Sequence, residues 1–348
     1  MTGGAGYIGS HTVRALREQG EDVVVLDRLD HGTVPPTGAR LVVADIADRS
    51  TVGDLLAAHD VDAILHFAAR KSAPDSVLDP GGYFLDNVAG SLALLDVAAR
   101  HGVRSFVFSS SCAVYGTPDR LPVTEAAAIR PENPYGESKA LVERMLPWFG
   151  GAHGLRYASL RYFNAAGAHP AGDLGEDWTG AANLIPAVLR AAFTGQPVSV
   201  FGTDHPTPDG TGIRDYVHVV DLAEAHVAAL QRLRTGTPSL VVNLGTGRGH
   251  SVRDVIETAR RVTGRDIPVI EEPRRAGDPP AVWADPSLAE SALGWRAGRG
   301  LDDMVESDWH ANLQRHDASE RVAVSTGIET RARATVAAGS TPGPVERR

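Results

Sequence analysis

The stretch MTGGAGYIGSH (residues 1–11) opens the chain, and its glycine-rich turn GGAGYIG (residues 3–9) decides the fold. Gly3, Gly6 and Gly9 follow a G-x-x-G-x-x-G spacing. A turn of this kind lets the backbone approach a pyrophosphate closely and points the N-terminus of the next helix at it. A plain structural turn can have the same spacing, so the motif needs support from the strands and helices around it.

Short apolar runs rich in β-branched residues follow the turn and alternate with amphipathic stretches. Such runs are typical of strands that are covered on both faces. The predicted strands are 22–27, 40–45, 62–67, 104–110 and 156–161, and the predicted helices include 10–20 and 83–101. This alternation predicts an α/β fold with a doubly wound, parallel, Rossmann-type sheet. Only Met1 and Thr2 precede the turn, so we expect a truncated first strand and a natural start further upstream.

Glycine, proline and aspartate become more frequent after about Gly167, although 240–245, 251–262 and 267–270 still predict regular elements. We therefore predict a nucleotide-binding domain at 1–165 and a smaller α/β lobe at 166–312, with the chain crossing between the two. Residues 313–348 are rich in Ala, Ser, Thr, Gly and Arg. A segment of this composition buries little apolar surface, so we predict a disordered tail there.

Composition narrows the classes of partner. The 348 residues are 43% hydrophobic and 22% charged, which is ordinary for a soluble globular protein. The net charge of −9 argues against nucleic acid or a membrane surface as the main partner. The single cysteine, Cys112, excludes intramolecular disulfides and cysteine-only metal sites, and we expect no bound metal. Neither a signal peptide nor a spanning apolar run is apparent, so a cytoplasmic location is expected.

Asp27 lies 18 residues after Gly9, at the end of the second predicted strand. A carboxylate there accepts hydrogen bonds from the adenosine ribose and repels a 2′-phosphate, which favours NAD over NADP. Arg28 follows directly and would soften that preference. Asp45 ends the third predicted strand, where it either faces the adenine or is an ordinary strand-terminal aspartate.

The strongest chemical signal is NPYGESKALVE (residues 133–143), with Tyr135 and Lys139 four residues apart. On a helix these side chains share one face. A lysine ammonium beside a phenol is expected to lower the tyrosine pKa from about 10 toward neutrality, so that Tyr135 acts as a base. Upstream, FSSSCAVYG (residues 108–116) places Ser111 where it reaches both the phenol and a substrate oxygen. An incidental pair on a solvated helix is the competing interpretation.

Together these motifs resemble the extended short-chain dehydrogenase/reductase family and, within it, the UDP-glucose (UDP-galactose) 4-epimerases. The similarity runs to about Trp309 through RYFNAAGAHPAG (161–172), TPDGTGIRDYVHVVDLA (207–223), NLGTGRGHSV (243–252) and PRRAGDPPAVWAD (273–285). It implies reversible epimerisation at C4 of a UDP-hexose with tightly bound NAD, carried out by a homodimer. It also makes 166–312 the lobe that binds the UDP-sugar.

The resemblance assigns roles residue by residue. The implied catalytic residues are Ser111, Tyr135 and Lys139, which also contact the cofactor. The implied NAD contacts are the turn glycines with Tyr7, Ile8, Asp27, Asp45, Ile46, Phe67, Lys71, Asn87 and Phe163. The implied UDP-sugar contacts, besides Ser111 and Tyr135, are Asn164, Asn183, Leu184, Phe201, Arg214, Arg275, Asp278 and Val282. Arginine forks suit a diphosphate, which an acidic protein must bind through local cations.

The resemblance also implies the reaction and its alternatives. Tyr135 takes the proton of the sugar 4-hydroxyl as the C4 hydride passes to NAD. The 4-keto sugar then rotates within the site and receives the hydride on its other face. Val282 is smaller than the tyrosine of family members restricted to glucose and galactose, which predicts that N-acetylated sugars are also accepted. A UDP-pentose 4-epimerase and a silent NAD-binding scaffold remain alternatives. A 4,6-dehydratase is disfavoured because SSCAVYG (residues 110–116) carries no carboxylate.

Overall fold

A computed structural model of the chain describes residues 1–30, 38–178, 183–275 and 277–317. Its strands are β1 (Val24–Asp27), β2 (Arg40–Val43), β3 (Ala63–His66), β4 (Ser105–Ser111), β5 (Arg156–Tyr162), β6 (Asn164–Ala166), β7 (Val198–Phe201), β8 (Ile213–His218), β9 (Leu240–Leu244), β10 (Gly249–Ser251), β11 (Val269–Glu272) and β12 (Ala281–Val282). Its helices are α1 (Tyr7–Glu18), α2 (Arg49–His59), α3 (Ala73–Leu78), α4 (Pro80–Tyr83), α5 (Gly90–Arg100), α6 (Pro134–His153), α7 (Leu184–Thr194), α8 (Val219–Arg234), α9 (Val252–Thr263), α10 (Ser287–Leu293) and α11 (301–317).

The main sheet is parallel throughout, with β1 paired to β2 and a second run in the order β3-β4-β5-β9. Helices α1 and α8 pack against each other on one face, and α2, α5 and α6 cover the other. Strand β4 is buried along its whole length, as expected for the centre of such a sheet. The predicted doubly wound, Rossmann-type sheet is therefore confirmed.

Residues 1–3 join the two parts of this sheet. Thr2 bridges to Leu26 on one side and to His66 on the other, both in parallel orientation. The Thr2 amide donates to the Leu65 carbonyl at 3.0 Å, and the Gly3 amide donates to the Leu26 carbonyl at 2.9 Å. These three residues occupy the position of a central strand, which places the glycine turn at the carboxyl edge of the sheet.

The second lobe contains two small sheets. In one, β8 pairs with β10, β12 and β6, and in the other β7 pairs with β11. Its core lies between these strands and the helices α7, α9 and α11. Part of the chain after residue 165 returns to the main sheet, because β9 pairs with β5 and α8 packs on β4 and β5. The domain boundaries stay a prediction. The segment of the second half of the chain that crosses back to the main sheet is 219–244.

Two local expectations are corrected. The predicted helix 83–101 is interrupted by a π-helical turn, Phe84–Ala89, which leads into α5. The predicted tail starts too early, because residues 313–317 continue α11. Leu313 packs against the core of the second lobe, and the His316 ring lies 4.7 Å from that of Phe193, which explains why this part is ordered. The remainder of the predicted tail, 318–348, lies outside the described residues.

Candidate active site

The glycine turn is built for close approach of a ligand backbone. Gly3 has φ +67°, and a Cβ there would lie 2.5 Å from the Ala68 amide nitrogen, so only glycine fits. A Cβ on Gly9 would collide with the Gly3 carbonyl. Gly6 precedes α1 and supplies no side-chain cap, which leaves the first-turn amides at Tyr7 and Ile8 facing the turn. Such amides, with the helix dipole behind them, suit a pyrophosphate.

Asp27 lies beside this turn at the end of β1. Its carboxylate accepts hydrogen bonds from the Ala5 amide at 3.0 Å and the Leu29 amide at 2.9 Å. Arg28, the next residue, pairs with Asp30, Asp45 and Asp86 at 2.8, 3.0 and 3.5 Å. A 2′-phosphate would have to compete with three carboxylates for this guanidinium. The surroundings therefore fit NAD better than NADP, despite the adjacent arginine.

The other candidate NAD contacts surround the same edge of the sheet. Asn87 is buried, and its amide group accepts from the Arg70 amide at 2.8 Å and donates to the Arg70 carbonyl at 3.0 Å. The Phe67 ring packs 4.5 Å from the His226 ring, and the Tyr7 hydroxyl donates to the Gly167 carbonyl at 2.5 Å. Further candidates are Ile46, which is buried after β2, Phe163, which is buried between β5 and β6, and Lys71, which pairs with Glu176.

Ser111, Tyr135 and Lys139 converge at the carboxyl end of β4. Ser111 is the last residue of that strand, and the Asn133 side chain caps α6 by accepting from the Gly136 amide at 2.8 Å. The cap places Tyr135 in the first turn of α6 and Lys139 one turn later. The Ser111 side chain is a hydrogen-bond partner of the Tyr135 phenol. The three residues predicted to work together are therefore neighbours.

The expected lowering of the Tyr135 pKa is wrong in this structure. Tyr135 is buried, and burial raises its pKa above 10, with the nearby Tyr162 raising it further. The hydrogen bond with Ser111 lowers it but is outweighed. Lys139 directs its ammonium to the Ser109 carbonyl at 2.8 Å, and its Nζ lies 5.9 Å from the Tyr135 ring centroid. Desolvation of the phenolate is therefore the main cause of the raised pKa of Tyr135.

Lys139 is itself strongly perturbed. Burial lowers its pKa from 10.5 to about 7, and the negative charge of Glu143 opposes that shift. Glu143 lies one turn further along α6, accepts from the Ser110 hydroxyl at 2.5 Å and from Arg161 Nε at 2.9 Å. Neither Glu143 nor Arg161 is among the site residues predicted from the sequence. The spacing of Glu143, four residues after Lys139 and eight after Tyr135, was a signal that it shares their face.

Five of the candidate UDP-sugar residues, here called the wall, lie on or beside β7, β8 and β12, and a hydrogen bond from the Asp278 amide to the Arg275 carbonyl joins its two halves. Arg214 lies on β8, pairs with Asp278, and is the backbone neighbour of Val282 on β12. The Arg275 guanidinium stacks 3.7 Å from the ring centroid of Phe201, at the end of β7. This wall brings two cations, an aromatic ring and a carboxylate together, a set suited to a charged, hydroxyl-rich ligand.

The wall reaches the catalytic residues. Cys112 follows Ser111, and the charge of Arg214 acts on the Cys112 thiol, whose pKa burial raises to about 12. Val282 is buried in the same cluster as Phe163, with Cys112 packed against it. The remaining candidates are Asn164, exposed at the start of β6, Asn183, which precedes α7, and Leu184, its first residue.

Comparison with known proteins identifies the family. The NAD dependent epimerase/dehydratase family matches residues 1–245. The chain belongs to that family. The UDP-glucose 4-epimerase of Lacticaseibacillus casei is 43% identical over 318 residues, which covers 90% of this chain and 96% of the relative. The family and cofactor expected from the motifs are confirmed.

Two solved structures of this family share the fold. UDP-glucose 4-epimerase from Stenotrophomonas maltophila, with bound NAD and formylated UDP-arabinopyranose, has a TM-score of 0.88 and 43% identity, covering 91% of this chain and 98% of that one. UDP-glucose 4-epimerase from Bifidobacterium longum, in complex with NAD+ and UDP, has a TM-score of 0.84 and 40% identity, covering 90% and 97%. Both crystallised proteins hold NAD at this fold, in agreement with the glycine turn described above.

Within the described ranges, no helix combines the length and apolar character that crossing a bilayer requires.

Proposed function

We propose that this chain is an NAD-dependent UDP-sugar 4-epimerase that interconverts UDP-glucose and UDP-galactose. The observation that carries the proposal is the cluster of Ser111, Tyr135 and Lys139 beside the glycine turn. Arg214 and Arg275 supply cations for a diphosphate, and the charge of Arg214 acts on Cys112, which follows Ser111 at the end of β4. Relatives that are UDP-glucose 4-epimerases support the assignment at 43% identity.

The chain's own residues account for proton transfer and orientation. NAD, when bound, supplies the hydride acceptor and donor at C4. Ser111 and Tyr135 hold the sugar 4-hydroxyl between them, and the phenolate form of Tyr135 takes its proton. Because burial raises the pKa of Tyr135, formation of the phenolate needs nearby positive charge, and Lys139 provides it from one helical turn away. When the keto group is reduced, the Tyr135 phenol returns its proton to the sugar oxygen and becomes the phenolate again, which the charge of Lys139 stabilises.

The test is to incubate the purified protein with UDP-galactose without added NAD and to follow UDP-glucose by chromatography. Bound nicotinamide is measured in the same preparation by its absorbance. We expect interconversion to equilibrium with no net change in NAD, because the cofactor is regenerated in each turnover. A protein that holds NAD but converts neither sugar would be the silent scaffold instead.

Val282 gives a prediction on substrate choice. Its small side chain is the strand neighbour of Arg214 and packs in one cluster with Cys112, and a residue smaller than tyrosine there is expected to leave room beside the sugar. We expect the wild type to turn over UDP-N-acetylglucosamine as well as UDP-glucose. Val282→Tyr should lower kcat/KM for the N-acetyl sugar by about 10- to 100-fold through a steric clash, with UDP-glucose changed much less. No detectable turnover of the N-acetyl sugar by the wild type would contradict this prediction.

A UDP-pentose 4-epimerase is the second candidate function. The relative from Stenotrophomonas maltophila was crystallised with formylated UDP-arabinopyranose, so a pentose nucleotide fits that member of the family. Assaying UDP-arabinose beside the hexoses separates the two. We expect a higher kcat/KM for UDP-glucose, and the opposite order would favour the pentose enzyme.

We also propose that the chain is a cytoplasmic homodimer formed through α3, α5 and α6. Six large apolar side chains are exposed on these helices and on the π-helical turn before α5, namely Val77 at 62%, Leu78 at 85%, Phe84 at 36%, Leu85 at 68%, Leu92 at 42% and Trp148 at 79%. Several such residues on adjoining helices are typical of an interface between subunits. A second copy of the chain, presenting the same face, would cover them symmetrically.

Leu85→Asp should shift the protein from dimer to monomer in light scattering after size exclusion, because it places a charge in an apolar interface. Ile270→Asp is the matched control, since Ile270 is 47% exposed on β11 in the other lobe. A wild type that is monomeric at micromolar concentration, or a Leu85→Asp variant that stays dimeric, would overturn the proposed interface.

A further inference from the structure

Glu176 is not among the residues implied by the resemblance, yet it contacts two of them. Its Oε1 accepts from Lys71 Nζ at 2.9 Å, and its Oε2 accepts from Asn183 Nδ2 at 2.7 Å. Lys71 follows β3 and is a candidate cofactor contact, whereas Asn183 precedes α7 and is a candidate UDP-sugar contact. One carboxylate therefore connects the two ligand sites, with one oxygen for each.

Glu176 is held rigidly for this role. Its backbone carbonyl accepts from Asn312 Nδ2 and from an Arg315 guanidinium nitrogen, both at 3.1 Å and both on α11. The preceding residue, Gly175, bridges to Ala168 and has no room for a side chain, because a Cβ there would lie 2.8 Å from that of Ala168. The side chain of Glu176 is only 12% exposed, whereas that of Lys71 is 68% exposed. The carboxylate is therefore the buried partner of this ion pair and the lysine is the exposed one.

The hydrogen bond to Asn183 also sets the orientation of its amide. Because Nδ2 donates to Glu176, the Oδ1 oxygen points away from that carboxylate, and among the described residues it does not cap the amides of α7, so it is placed to accept from a ligand hydroxyl or imide. The ion pair with Lys71 fixes the rotation of the Glu176 carboxylate and balances its negative charge. The same negative charge adds to burial in raising the pKa values of the nearby Tyr7 and Asp308. Loss of either contact should loosen the other.

We propose that Glu176 is a positioning residue that couples the sugar-nucleotide site to the cofactor site through Asn183 and Lys71. The inference rests on the proposed UDP-sugar site and predicts that a change at Lys71, on the cofactor side, weakens binding of the nucleotide at Asn183. A residue that only supports the fold would not produce such a dependence.

The experiment measures binding of UDP by calorimetry to the full-length protein with its NAD, alongside NAD content, kcat and KM for UDP-glucose. Glu176→Gln is expected to weaken UDP binding and raise KM by about tenfold, as for loss of one charged hydrogen bond, with kcat within about twofold. Glu257→Gln is the matched control, because it removes a carboxylate from an exposed ion pair with Arg260 on α9.

Two further variants test the coupling itself. In an Asn183→Ala background, Glu176→Gln should have no further effect on UDP binding, because the residue through which it acts is gone. Lys71→Met should weaken UDP binding severalfold, and its effect should not add to that of Glu176→Gln. Unchanged UDP binding in Lys71→Met, or an undiminished effect of Glu176→Gln without Asn183, would overturn the proposal. Since UDP binding needs no turnover, an inactive wild type would contradict the proposed function alone.

Discussion

Tyr135→Phe is expected to lower kcat for UDP-galactose epimerisation by about a thousandfold while NAD stays bound. The variant removes one hydroxyl, the group that takes and returns the proton of the sugar 4-hydroxyl. The ring keeps its place at the start of α6, where it is buried beside Ser111 and Tyr162. Folding and cofactor binding should therefore survive, and the loss should appear in kcat rather than in KM.

The measurement combines initial rates with the absorbance of bound nicotinamide. Tyr157→Phe is the matched control, because Tyr157 lies near the amino end of β5, away from the carboxyl end where Tyr135 lies, and is only partly buried against the cluster that includes Leu146 of α6. The control should retain wild-type kcat. A Tyr135→Phe variant that epimerises at the wild-type rate would show that another group takes the proton.

Lys139→Met is expected to lower kcat by about a hundredfold or more, because the phenolate of Tyr135 loses the cation placed one helical turn away. The same variant should gain stability at neutral pH. In the wild type, burial of the Lys139 ammonium lowers the free energy of unfolding, although the ammonium donates to the Ser109 carbonyl and lies over the Phe108 ring. Methionine fills similar volume without charge.

The sign of the pH dependence follows from the lowered pKa. Lys139 has a pKa of about 7 when folded and 10.5 ordinarily, so the unfolded chain binds more protons between these values. This lysine therefore destabilises the wild type progressively as pH falls from about 10.5 to about 7, and the cost is constant below that. The Tm difference between Lys139→Met and wild type should be larger at pH 6.5 than at pH 9.5. Equal differences at both values would show that the lysine is not desolvated.

Much of the fold was predictable because strands buried on both faces have a distinctive sequence. The run 104–110 predicted β4, observed at Ser105–Ser111, and 240–245 predicted β9, observed at Leu240–Leu244. The π-helical turn Phe84–Ala89 was not predictable in this way. Its residues keep helical periodicity, and the turn's Asn87 side chain bonds the backbone of Arg70, which is distant in sequence.

The candidate site was predictable in part, where its residues lie close together in the chain. Tyr135 and Lys139 share a helix, so their spacing was informative. The contacts of Glu176 were not, because Lys71 lies 105 residues earlier and only the fold brings the two together. Burial likewise decides the pKa of Tyr135, and sequence spacing carries no measure of desolvation.

The return of the chain to the main sheet has a consequence for how the protein is made. Strand β9 completes that sheet beside β5, and α8 covers β4 and β5, although both elements come after the first strands of the second lobe. A nascent chain that has emerged only to residue 165 exposes the edge of β5 and the apolar surface that Leu222 and Leu230 later cover. Synthesis must therefore pass residue 244 before the main sheet has all its strands, and by then β6, β7 and β8 of the second lobe have already been made.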